Sequence, residues 1–361
     1  MHLKSLRLYQ FRSFQDLCLD FSSEINGLYG KNASGKTTIL EAIYFLSSGR
    51  SFRTSSLEDL IKDGKQEFHI EAAFVKHGVD HILKVSWSKS QRKIVYNRTE
   101  SHNFGSLFGL FLSIPLIPED IDLIKGQPQQ RRHYIDLVIA KLDPLYVRHS
   151  FRFERAMRQR NALLKAKEFS IIEGFEREMA KSSSYIVQKR YEVIAELSQT
   201  LSSMYPRFGE KTEKINLKYE TRFSLEETHE EHHFQQFVKD RHKDAYHGVT
   251  SSGPHRDDLI LEINEKKAKF FGSEGQKRSV AASLKLAEYE MMRASHGVSP
   301  ILLLDDIGLG FDALRKKRFF SLIREPAKDS KTPQILLSSA EIPEVEEREK
   351  GHFINLEALS R

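Results

Sequence analysis

The octapeptide Gly30–Thr37, GKNASGKT, constrains this chain more than any other stretch. Its spacing, G-x-x-x-x-G-K-[ST], follows the apolar run Ile25 to Tyr29 and precedes TTILEAIYFLSS, where Ile39, Ile43 and Leu46 recur on one helical face. A strand, a glycine loop and a helix in that order aim backbone N–H groups and the positive end of a helix at phosphate. The expected nucleotide ligands are Gly30, Lys31, Asn32, Ala33, Ser34, Gly35, Lys36, Thr37 and Thr38. Among them Lys36 is expected to neutralise the terminal phosphates of ATP, Thr37 to place its hydroxyl on Mg²⁺, and Gly35 to admit the backbone close to the anion.

A second acidic motif lies far downstream, where Ile301 to Leu304 lead into Asp305 and Asp306. A buried strand that ends in an acid is how P-loop nucleotidases hold Mg²⁺, which makes Asp305 the metal-side candidate. Asp306 is the catalytic candidate beside Lys36, since orienting or deprotonating an attacking water needs an unpaired carboxylate. Between the two motifs, FGSEGQKRSVAASLKLAEYEMM sets Ser273, Gly275 and Gln276 ahead of a long amphipathic helix. Such a loop offers a second helix N-terminus to an anion, although the same residue types also serve as ordinary helix caps.

The texture of the chain changes twice. Residues 1 to about 100 read as strands, with Leu3, Leu6 and Leu8 unevenly spaced, and 126 to 247 read as long charged helices with few Gly or Pro before Pro206. After SGPHRDDL strand character returns, and ILLLDD, QILLS and HFINL have the compact apolar look of strands buried on both faces. The expected architecture is α/β: an ATPase lobe split between residues 1–125 and 248–361, with a helical second lobe at 126–247. No uncharged apolar run approaches the roughly 18 residues of a membrane span. The single Cys18 and a first segment that alternates charged with apolar residues point to the reducing cytosol.

Five strings, GKNASGKTTILEAIY, PEDIDLIKGQPQQRRHYID, SGPHRDDL, FGSEGQKRSVAASLKLAE and ILLLDD, occur in this order. Together they resemble the RecF family, whose members are ABC-type ATPases related to Rad50 and SMC heads; the likeness spans residues 1 to about 320. The resemblance implies DNA binding, promotion of RecA loading at gaps, and association with RecR and RecO. It also implies that Ser273 and its loop contact the γ-phosphate held by a second copy of the chain, so that ATP drives dimerisation. Three stretches depart from expected patterns: Leu309, Gly310 and Phe311 precede Asp312 where the family commonly has a Ser-Glu-Leu run, the switch His of ABC transporters is absent near Ser339 and Ala340, and Glu119 stands in for the transporter-type glutamine.

A formal charge of +6 and a sequence pI of about 9.1 make an anionic partner plausible. The surplus is local: residues 131–167 hold ten Lys or Arg against Asp136, Asp143 and Glu154. Arg148, Arg152 and Arg155, at i, i+4 and i+7, form a guanidinium stripe on a helix and are the DNA-binding candidates, for duplex and for gapped or single-strand junctions. HEEHH at 229–233 formally matches a zinc-protease string, but its neighbours lack the apolar face of a metal helix. Arg12 could reach the nucleotide or be a surface residue. The leading reading is a DNA clamp in which ATP closes a homodimer around a basic surface and hydrolysis reopens it; beside it stand a nucleotide-binding subunit of a membrane importer and a largely non-hydrolysing ATP-dependent scaffold.

Overall fold

The computed structural model describes residues 1–361 except 209–211, 224, 225, 227, 228, 307–312, 325–332, 341–350 and 359–361, so Leu309 to Asp312 lie outside the described residues. Two compact units emerge: Met1–Asp120 with Arg278–Arg361, and Ile121–Pro206 with Thr212–Lys277. The expected boundary near 248 is displaced, because residues 248–277 group with the helical unit. Among the described residues no helix is long and apolar enough to cross a membrane.

The first unit is built on β1 (His2–Phe11), β2 (Phe14–Asp20), β3 (Ile25–Tyr29), α1 (Lys36–Ser48), β4 (Glu67–Lys76), β5 (Val79–Ser88), β6 (Arg92–Tyr96), β7 (Thr99–Ser101) and β8 (Ser113–Leu116). The helices and strands of the second unit are α2 (Asp122–Lys125), α3 (Pro128–Leu142), α4 (Pro144–Ala166), α5 (Ile172–Phe208), β9 (Ile215–Glu220), α6 (Glu230–His247), β10 (Asp258–Ile263), β11 (Lys266–Lys267) and α7 (Ala268–Phe271). Then come α8 (Glu274–His296), β12 (Ile301–Leu304), α9 (Ala313–Arg324), β13 (Ile335–Ser339) and β14 (Gly351–Asn355).

One sheet of the first unit is antiparallel, in the order β2-β1-β4-β5-β6-β7, and the other is parallel, in the order β14-β3-β13-β12-β8. The uneven spacing of Leu3, Leu6 and Leu8 has a local cause. A register shift between Leu3 and Ser5 inserts a bulge in the β1–β4 pairing, so an odd spacing still turns both Leu3 and Leu6 into the core. Helix α1 is enclosed by a cluster that draws Leu8, Phe68 and Val85 from the antiparallel sheet and Leu28, Leu303 and Leu336 from the parallel one. Every residue from Thr38 to Ser48 is therefore buried, and the helix expected to be one-faced from Ile39, Ile43 and Leu46 is covered on all sides, its few polar side chains included. α8 departs in the same way, with Ser279 to Tyr289 all buried. β12 and β13 are covered on both faces as expected, whereas β14 is an edge strand in which Ile354 alone is buried, the last residue of HFINL, Leu356, being buried just beyond it.

The helical unit carries its own sheet, β11-β10-β9, and is held by arginines drawn inside it. Arg160 of α4, fully buried, donates to Glu176 (3.0 Å), Asp244 (2.7 Å), Thr250 (2.9 Å) and the Phe237 carbonyl (2.9 Å). Arg190 of α5 reaches Asp136 (2.8 Å), Asp257 (3.0 Å) and the Pro254 carbonyl (2.7 Å), while Arg131 grips Asp258 with two hydrogen bonds. Removing one member of such a buried pair strands the other charge, at a cost of about 3–5 kcal/mol. The SGPHRDDL string is thus the place where α3 and α5 are tied to β10, and this explains why 248–277 belong to this unit.

HEEHH divides between surface and interior: His229 is exposed, and His233 is buried, stacked on Phe223 and hydrogen-bonded through Nδ1 to Ser183 Oγ at 2.7 Å. Burial pushes His233 down to about 3 and His255, at the SGPHRDDL turn, down to about 4. An unfolded chain protonates both near pH 6.5, so their contribution to stability is complete above that pH and is lost as pH falls toward 4. We expect unfolding free energy to decline over this window by about 1.4 kcal/mol per pH unit for each histidine. In denaturant titrations at several pH values, His233→Asn should be less steep by one such increment.

Candidate functional site

The carboxyl ends of β3, β13 and β12 lie side by side, since Tyr29 pairs with Ser339 and Leu337 with Leu304. In open α/β sheets this is the edge at which ligands collect, and here it carries the glycine loop and both aspartates. Thr37 Oγ1 donates to Asp305 Oδ1 at 3.0 Å, and Ser338 Oγ donates to the same oxygen at 2.5 Å. Ser338 in turn accepts from the Asp306 N–H at 3.1 Å, which makes one hydroxyl the link between both acids and β13. Burial pushes the Asp305 carboxyl up, opposed by those two hydroxyl donors, and the nearby Asp306 and Glu119 add to the rise. Its neighbour Asp306 has left-handed backbone (φ 48) and no hydrogen bond to its carboxylate among the described residues.

Lys36 is buried, and its ammonium donates to the Gly30 and Lys31 carbonyls at 2.6 and 2.9 Å. The loop around it has the makings of an anion cradle. Gly35 caps α1 without any side chain, leaving the helix's first N–H groups without a side-chain cap, and Ser34 Oγ is buried with no partner among the described residues. The residues present therefore fit a triphosphate and a divalent cation: a fixed ammonium, open N–H groups, an unused hydroxyl, and the Thr37–Asp305 pair made of hard oxygen ligands. Lys31 is tied outward, its N–H donating to Glu357 Oε1 at 2.7 Å; Asn32 and Ala33 are exposed, and Thr38 is buried in α1.

Arg12 is neither a free nucleotide ligand nor an unpaired surface residue here. It forms a bidentate pair with Glu41 of α1 (2.7 and 3.1 Å), and Ser51 and Arg53 complete the fully buried carboxylate's partners. Glu119 is exposed, whereas Asp120 turns back to accept from the Ile117 N–H at 2.8 Å. Burial pushes the Asp120 carboxyl up to about 6, against the pull of Lys285, which itself is hydrogen-bonded to Glu288 at 2.6 Å.

In the second unit Ser273 and Gln276 form a reciprocal cap: Ser273 N–H donates to Gln276 Oε1 (2.6 Å) and Gln276 N–H to Ser273 Oγ (3.2 Å). Gly275 and Gln276 thus lie inside the first turn of α8 rather than ahead of it, and Ser273 is exposed at its start. Of the guanidinium stripe on α4, Arg148 and Arg155 are exposed, while Arg152 is half-buried and 3.6 Å from Glu178. The wider basic count shrinks further, because Arg131, Lys141 and Arg160 are buried. Sequence reading passed over Ser338, whose signal was only its place at the end of an apolar run, and Glu41, hidden inside a helix that looked amphipathic.

Over residues 2–110 the chain matches the family described as RecF/RecN/SMC N terminal domain. The Smc head domain of Pyrococcus furiosus aligns with a TM-score of 0.53 at 17% identity, over 94% of this chain and 90% of that one, a likeness of fold alone. Fold and family profile define the class: an ABC-type ATPase head of the SMC kind, with a helical second lobe. DNA replication and repair protein RecF of Protochlamydia amoebophila (strain UWE25) is 40% identical over 323 residues, covering 88% of this chain and 90% of that relative. Its counterpart in Chlamydia abortus is 35% identical over 328 residues, 89% of each. A solved structure of the recombination mediator protein RecF with ATP, in the RecFOR pathway, has a TM-score of 0.88 at 28% identity, over 95% of this chain and 93% of that one. The chain belongs to the RecF family of DNA replication and repair proteins, and that membership supersedes the importer reading.

Gly35 stands at φ 96, and a Cβ there would lie 2.4 Å from the Phe14 ring. Gly35→Ala should therefore lower stability by more than about 1 kcal/mol, the loss expected when Ala is forced to positive φ. Adding Phe14→Leu should recover part of the melting temperature by removing the clash but not the strain; full recovery would show that the backbone conformation is unimportant.

Proposed function

We propose that this chain is an ATP-operated DNA-binding protein of recombinational repair and replication restart, in which ATP brings two copies together on DNA and hydrolysis releases them. The observation that carries this reading is the 3.0 Å contact between the phosphate-loop Thr37 and Asp305, two residues 268 positions apart that serve one cation site in nucleotidases of this class. Mg²⁺ held by Thr37 and Asp305 would supply charge neutralisation at the phosphates. Lys36 would exchange its two loop carbonyls for phosphate oxygens, a change from neutral to charge-assisted hydrogen bonds. Asp306, with its carboxylate uncommitted, is the residue proposed to orient the attacking water.

Ser273, exposed at the capped start of α8, is proposed to meet nucleotide bound by the second copy. A donor set completed only in the dimer makes association depend on ligand, since whatever binds the assembled form alone shifts the equilibrium toward it. The related structure is of RecF with ATP in the RecFOR pathway, which supports ATP as the nucleotide; RecR and RecO as associated factors, and action in the cytoplasm, are part of the same proposal. The DNA would lie along Arg148, Arg152 and Arg155, and promotion of RecA loading at gaps is the proposed outcome.

Light scattering with and without ATP tests the switch. Wild type should dimerise with ATP, Lys36→Ala should neither bind ATP nor dimerise, and Ser273→Arg should bind ATP yet stay monomeric. A dimer of Ser273→Arg with ATP would remove the trans contact. For DNA, replacing Arg148, Arg152 and Arg155 with Ala should weaken binding to many sequences alike and flatten log affinity against log salt by about 2 to 3 units, about 0.9 per duplex phosphate contact. An unchanged slope would remove the stripe.

A further inference from the structure

The outward face of α4 holds more than cations. Its inward face is Tyr146, Phe153, Ala156, Arg160 and Leu164, all buried, and directly opposite stands Phe151, 60% exposed. Arg148 lies one turn before Phe151 and Arg155 one turn after it, about 4.5 and 6 Å along the helix axis. Arg158 borders the same face; Arg148, Arg155 and Arg158 are all exposed and have no acidic partner among the described residues. Arg152 is the exception, turned toward Glu178 of α5 at 3.6 Å, and the one acid of α4 itself, Glu154, is exposed.

An exposed ring by itself is ordinary, but Phe151 lies between unpaired guanidinium groups at a helix position where Lys or Ala would favour the helix more. Nor does a duplex backbone account for it, since phosphates offer a ring no apolar contact and the ring would only hinder solvation of its flanking charges. An unpaired base does account for it: every base has a π-face, and single-strand sites combine a cationic track with side chains on which bases stack.

We propose that the outward face of α4 is a site for DNA containing unpaired bases, with Phe151 stacking on a base while Arg148, Arg155 and Arg158 hold the flanking phosphates. The inference rests on the DNA reading of this helix given above and names the form of DNA that the helix prefers. Phe151 is then the specificity residue, and the arginines supply affinity without discrimination.

Fluorescence anisotropy with three labelled probes, a duplex, the same duplex with a gap, and a single strand of equal length, separates the two ideas. Phe151→Ala should lose about ten-fold in affinity for the gapped and single-stranded probes, the scale of one lost base stack, with duplex affinity and salt slope unchanged. Phe151→Trp should retain the preference, and because the side chain is exposed neither variant should shift the melting temperature. Equal loss on all three probes, or no loss on any, overturns the stacking role. If the Arg148, Arg152 and Arg155 variant still binds every probe as wild type does, the DNA reading of α4 fails and this inference with it. If that variant weakens while Phe151→Ala does not, only the stacking fails.

Discussion

Burial of α1 on every side is the constraint from which the rest of the nucleotide edge follows. A helix packed between an antiparallel and a parallel sheet cannot rotate or slide without opening the core around Leu8, Phe68, Leu28 and Leu303. Its first residues, Lys36 and Thr37, are thereby held at the end of β3, and its interior Glu41 is buried only because Arg12 and Arg53 reach it. Arg12 thus bears on the phosphate loop by holding the helix that presents it, through a bidentate pair of the kind that fixes orientation as well as charge.

The same economy of charge separates two kinds of arginine in the helical unit. Arg160, Arg190 and Arg131 are consumed by Glu176, Asp244, Asp136, Asp257 and Asp258, and they hold α3, α4, α5, α6 and β10 as one body. Buried pairs of this sort stabilise little relative to an apolar core but are costly to break, so they specify one arrangement. Arg148, Arg155 and Arg158 share a helix with Arg160 yet answer to solvent, where they stand open to a partner. A count of basic residues along α4 therefore overstates the surface charge, and the phase of the helix corrects it.

Much of the site was legible because it is local. GKNASGKT after an apolar pentapeptide states a phosphate loop, since a tight glycine turn before a helix is decided by neighbours in sequence, and Ile301 to Leu304 before Asp305 states a buried strand with an acid at its end. SGPHRDDL was legible as part of the family resemblance but not as a structural tie, because its partners Arg131 and Arg190 come from two different helices.

By itself, then, the sequence determined the α/β class, the phosphate loop, the acid-ended strand and the family, all properties carried by short runs whose chemistry depends on adjacent residues. Tertiary structure alone decided that Ser338 bridges Asp305 and Asp306, that Arg12 serves Glu41, that α1 and α8 are buried all round, and that Phe151 stands at the centre of the free guanidinium face. Each of these turns on which segments, far apart in the chain, are brought within a hydrogen bond's reach or turned to solvent, and burial, which no local pattern records, is what selects among them.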